Sequence, residues 1–180
     1  MTSTQTLDDA DRRAIARWAA ACAERVLPLF DAEPDAADAI HDALVRTRAF
    51  HAGESCAAVE IGKRMIAVRA AGAATTPAGA AAARSVAQAS GVAHMGAHAL
   101  GAAAYAVKAV SLANPGVTES VADEIAWQVA QCTLSEQAIL RQLPPVSTES
   151  GGPLGPGLMT RGILGDTIRE IQGRIGSAST

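Results

Sequence analysis

Between residues 7 and 29 the apolar positions Ile15, Trp18, Ala19, Cys22, Val26 and Leu29 recur every three or four residues, the period of one helical face. Pro28 has no amide hydrogen to donate and is expected to end or kink this first helix. Pro34 suits the first turn of a second helix, with Asp35 and Asp38 favourable near its positive end. That helix is expected to bury Ile40, Ala43, Leu44, Thr47 and Phe50, to pair Asp42 with Arg46 one turn on, and to stop at Gly53. A third helix from about Ser55 to Ala71 is expected to bury Ala58, Ile61, Met65 and Val68 before "GAATTPAG" breaks the chain.

Thr76 and Pro77 form a helix start, a hydroxyl cap followed by a proline in the first helical position. The helical pattern then runs to Leu112, as one helix or as two that part near Gly91 or Gly96. After "ANPGVT", Thr118 is expected to cap a segment reaching Leu143, with Val121, Ile125, Val129 and Cys132 on its buried side. "PPVSTESGGPLGPG" reads as a linker, and Leu164, Ile168, Ile171 and Ile175 fall on one face of a terminal helix. Left bare, that stripe would be sticky, so it is expected to dock on the bundle or on a second subunit. The organisation read from the pattern is a helical bundle over 7–145, a Pro/Gly-rich linker over 146–162 and a short amphipathic helix over 163–176.

Composition sharpens the class. The chain has 180 residues, 49% hydrophobic but only 3% aromatic, and it is rich in alanine, so helices with small side chains at close approach are favoured over strands. The expected fold is all-α, a single-domain multi-helix bundle around a tightly packed Ala/Gly-rich central helix or helix pair. A net charge of −3 offers no broad basic surface for nucleic acid. The opening "MTSTQTLDDADRR" carries acids where an export signal has bases, which points to a cytoplasmic protein. The Ala-rich run from Ala78 to Ala113 is interrupted by Arg84, Gln88, His94, His98 and Lys108 and is too polar for a membrane span. Cys22, Cys56 and Cys132 lie far apart without a CxxC pair, as reduced thiols do.

The candidate chemistry sits in "AHMGAHALGAAAYAVKAV", Ala93 to Val110. On one continuous helix His94, His98, Gly101, Tyr105, Lys108 and Leu112 would share a narrow polar seam. His94 and His98 have the one-turn spacing of two zinc ligands, but no third ligand is selected, and Met95 stands where a metalloprotease would carry its glutamate. A catalytic reading would use a histidine as base and Tyr105 as donor, yet no nucleophile or orienting carboxylate accompanies them. Neither a metal nor a cofactor is expected, and no catalytic residue is named. Two readings stay open. The rings either hydrogen-bond across a tight helix contact, in which case Tyr105→Phe should cost about 1–3 kcal/mol, or reach the surface and contact a partner through His94, His98, Tyr105 and Lys108.

"WAAACAERVLPLF" (Trp18 to Phe30), "AIHDALVRTRAFHAGE" (Ala39 to Glu54) and above all "AHMGAHALGAAAYAVKAV" resemble the immunity-protein-5-like family, small bacterial proteins associated with polymorphic toxin systems. The resemblance spans roughly Ile15 to Pro145. It departs from the family pattern at Gln88, where a glycine or histidine is expected, and the segment after Pro145 has no counterpart. It implies an all-α protein, not an enzyme, that binds and neutralises a cognate protein toxin, with homo-oligomerisation left open. The alternative from the residues alone is a small-molecule-binding helical protein or enzyme using the His94, His98 and Tyr105 face.

Overall fold

The computed structural model describes residues 3–177; Met1 and Thr2 of the opening stretch and residues 178–180 lie outside the described residues. Eight α-helices make up the described chain, which contains no strand: α1 (Asp9–Val26), α2 (Pro34–His51), α3 (Ala57–Ala70), α4 (Pro77–Gly91), α5 (His98–Ala113), α6 (Thr118–Gln131), α7 (Leu134–Leu140) and α8 (Gly162–Ser177). The fold is all-α, as the pattern predicts. None of these helices is long and apolar enough to cross a membrane.

Local chemistry sets the helix ends. The Asp8 carboxylate accepts from the Asp11 amide and opens α1, which gives way at Leu27–Leu29 to a tight turn holding Pro28. Gly53, at φ 81, closes α2 in the left-handed conformation while the Glu54 amide donates to the Ala49 carbonyl. Thr76 accepts from the Gly79 amide at 3.0 Å, with Pro77 next in line, so the predicted start of α4 is in place. Thr118, by contrast, is not a cap: it is the first residue of α6, and its hydroxyl reaches only Glu119.

Helix α5 lies at the centre, packed by α1, α4, α6 and α8. From Ala99 to Val107 every residue is buried, so α5 is apolar around its whole circumference, as a helix enclosed on all sides must be. It packs most extensively on α4, and both helices bury small residues, Ala81, Ala82, Ser85 and Ala89 on α4 and Ala99 and Ala102 on α5. The Ser85 hydroxyl donates to the Ala102 carbonyl at 2.7 Å. The Ala/Gly-rich helix pair is therefore the core.

The stretch from 77 to 113 is two helices, parted by residues 92–97. The N-terminal segment fixes the break. Gly96 and Ala97 donate their amides to the Thr6 and Gln5 carbonyls at 3.0 Å, and Leu7 sits where a Cβ on Gly96 would stand, 2.5 Å from its methyl. Fully buried Gln5 also donates to Glu149 and the Gly151 carbonyl and accepts from the Leu154 amide, so the breaker-rich segment folds back over the N-terminus. Leu154 is fully buried, and α8 lays Leu164, Ile168, Ile171 and Ile175 against the bundle, chiefly on α5.

Two expectations are corrected. The segment expected to run unbroken from Thr118 to Leu143 divides at Cys132, because Thr133 and Glu136 form a reciprocal capping box that starts α7. Helix α3 buries Glu60 and Ala67 instead of the apolar set: Ala58, Met65 and Val68 are exposed, and Ile61 is half-buried. The cause is electrostatic. Glu60 accepts from Arg46 at 3.1 Å and from the Ser55 hydroxyl at 2.6 Å, and Arg46 also holds Asp42, so the partners on α2 turn the carboxylate inward and the apolar residues outward.

Candidate functional site

The polar seam is not continuous. His94 lies in the turn between α4 and α5, exposed, whereas His98 is the first residue of α5 and Tyr105 and Lys108 follow it along that helix. The two imidazoles are 6.4 Å apart between ring centres and tilted by 37°. Among the described residues, no three His, Cys, Asp or Glu side chains come together as a metal site.

Gln88 holds His98. Its Oε1 lies 2.7 Å from His98 Nδ1, and an amide oxygen only accepts, so the ring proton is on Nδ1 and the lone pair on Nε2. The ring packs against Gly91, where an added Cβ would stand 3.0 Å from it. Burial, then the charges of His94 and Arg64, lower the His98 pKa to about 4, so it is neutral at pH 7. A ring that takes up a proton only near pH 4, and whose Nδ1 partner is a neutral amide, is a weak base at pH 7.

Tyr105 is buried, and its pKa is raised by that burial, opposed by Arg84. Its hydroxyl makes no hydrogen bond among the described residues, yet it is not sealed from solvent. This corrects the expectation that Tyr105 ties helices together: the ring does the packing and the hydroxyl has no partner to lose. Lys108 is half-buried with its Nζ 6.0 Å from the Tyr105 ring centre, the outer limit of a cation–π contact. Leu112, at the far end, is exposed. The structure thus joins His98 to Gln88 and Lys108 to Tyr105 but does not gather the four residues into one pocket.

The cavity of about 250 Å³ between α5, α7 and α8 is lined by Leu100, Leu140, Leu143 and Ile175, and none of the three rings reaches it. The strongest polar ties are elsewhere, between α1 and the α6–α7 pair. Arg17 grips buried Glu136 with both Nε, at 2.7 Å, and Nη2, at 2.5 Å. Arg25 donates to buried Glu124 at 2.7 Å, and the Trp18 indole donates to the Gln128 carbonyl at 2.8 Å. Pattern reading missed these residues, although the T-x-x-E spacing of Thr133 and Glu136 was a signal for one of them.

The sequence profile of a family described as Imm-5 like putative immunity protein matches residues 5–135, well over half of the chain. The chain belongs to this family. No curated protein and no solved structure matches it. The match starts before Ile15 and stops short of Pro145, so it takes in α1 to α6 and the whole His94 to Lys108 region. In this Imm-5 like chain Gln5, which latches the later segment down, is the first matched residue, while α8 lies beyond the match.

Proposed function

We propose that the protein is an immunity protein that binds and neutralises a bacterial protein toxin in the cytoplasm, acting by contact and not by catalysis. The family match over residues 5–135 carries this reading. The ring geometry supports it: His98 is neutral, tied to Gln88 and packed on Gly91, so its role is in the core contact. Of the four residues proposed for contact, exposed His94 in the turn before α5 and half-buried Lys108 on α5 offer atoms to a partner, while His98 and Tyr105 pack within the bundle.

The test is co-expression with a toxin domain, sought in the reading frame beside this gene, followed by titration of the two purified proteins. Growth should be restored, and a complex should form without chemical change to the toxin. A toxin that still kills and does not bind would overturn the reading; a toxin returned covalently altered would make the protein an enzyme.

A further inference from the structure

Helix α3 is turned inside out for a helix of its composition. It packs on α2 and α4 through Glu60 and Ala67, and it sends Val59, Met65, Ile66 and Val68 outward, each between 37% and 48% exposed. At 100° per residue, Met65, Ala58, Arg69, Gly62, Ile66 and Val59 fall within an arc of about 120° on the side away from Glu60 and Ala67. Gly62 has open space where a Cβ would be, so this arc is low and open at its middle. Ala58, Gly62, Met65 and Arg69 repeat at four, three and four residues, the spacing of a helix that seats in a groove.

Charge chooses the occupant. The chain as a whole carries −3, but the exposed charges of α3 are Lys63, Arg64 and Arg69, and none of them is in an ion pair among the described residues. The helix's single acid, Glu60, is buried and already matched by Arg46. A second copy of the chain would bring three like charges against three, so self-association through this face is opposed. An acidic partner is attracted by the same three charges while its apolar groups cover Val59, Met65 and Ile66.

The geometry points to α3 as the toxin-docking helix, received by an apolar groove with a rim of aspartate and glutamate on the toxin domain; this rests on the reading that the protein neutralises a toxin. On that wheel Arg69 lies within the arc, while Lys63 and Arg64 flank the side that packs on the bundle. The exposed apolar surface on this otherwise acidic molecule is then what the complex covers.

Binding of the purified toxin domain to Met65→Asp, Ile66→Asp and the pair Lys63→Glu with Arg69→Glu tests it, with Leu134→Asp on α7 as the exposed apolar control. All five positions are solvent-exposed, and circular dichroism checks that each variant keeps the wild-type fold. The aspartate variants should bind about thirtyfold more weakly or worse, the charge-reversed pair should bind more weakly with a shallower salt dependence, and Leu134→Asp should match wild type. If wild type binds and the folded α3 variants bind equally well, the docking helix is elsewhere and immunity stands. If wild type itself does not bind, the immunity reading falls and takes this one with it. Wild-type binding to phosphatidylserine vesicles, or a dimer seen in sedimentation, that Met65→Asp abolishes while toxin binding is unchanged would assign the face to a membrane or to a second copy and overturn the proposal.

Discussion

Replacing Gln88 by leucine separates a histidine that holds the fold from one that serves recognition. In the folded protein Gln88 Oε1 accepts from His98 Nδ1 at 2.7 Å, and the ring also packs closely on Gly91. The ring therefore has little room to turn toward a new partner. Leucine fills much the same volume over Gly101 but accepts nothing, which leaves a ring N–H unpaired or, after a change of tautomer, a ring lone pair. The cost is about 1–3 kcal/mol. For a chain of this size that is a fall in Tm of roughly 2–4 °C for each kcal/mol. Tyr105→Phe is the natural contrast, because the lost hydroxyl had no protein partner and the change should stay within about 0.5 kcal/mol. Thermal and urea unfolding at neutral pH, followed by circular dichroism, reads both. A Gln88→Leu protein as stable as wild type, or a Tyr105→Phe protein that loses as much as Gln88→Leu, would refute the assignment of the contact to Gln88 and His98.

Acid should weaken the same contact: the unfolded chain protonates His98 near its ordinary value of 6.5 and the folded chain only at about 4, so this contribution is intact above pH 6.5 and is lost as the pH falls through that window. The loss is at most about 3 kcal/mol, and His98→Gln should flatten it; equal acid sensitivity in both proteins would count against a half-buried neutral ring. Glu136→Ala removes the carboxylate that holds Arg17 and closes the capping box of α7, for about 2–4 kcal/mol in urea unfolding. A loss under about 0.5 kcal/mol would make the Arg17 contact a surface ornament. Gly165→Ala would put a Cβ 2.3 Å from the Thr160 carbonyl oxygen, a backbone atom, so the start of α8 must shift, for about 1–3 kcal/mol. An unchanged Tm would show that this end of α8 moves freely.

Those elements whose ends rest on nearest-neighbour chemistry were legible in the sequence. Thr76 with Pro77, Pro28, Gly53 and the Leu164 to Ile175 stripe all act where the pattern puts them. What escaped depends on partners distant along the chain. The break between α4 and α5 is held by the carbonyls of Gln5 and Thr6, some ninety residues away. The phase of α3 is set by Arg46 and Ser55, which draw Glu60 inward against the hydrophobic pattern. The single polar seam expected from His94 to Lys108 assumed one helix, which the structure divides, and Gln88, named only as a departure, is the group that holds His98.

The division of labour follows from how the small residues are spent. Because α5 is enclosed on every side, it presents little to a partner, and its alanines and glycines serve close packing. Alanine buries little area per residue, so such a core gains less from each contact than one built of leucine. The charged ties from α1 to Glu124 and Glu136 reinforce it from outside. Helix α3 stands apart from that arrangement: it contacts α2 and α4 on one side, and only Glu60, Ala67 and a few half-buried neighbours are committed to the fold. Its outward residues can therefore change without opening the α4–α5 contact. A protein that must match one toxin and not another needs such a surface, and recognition is best placed where substitution costs the core least.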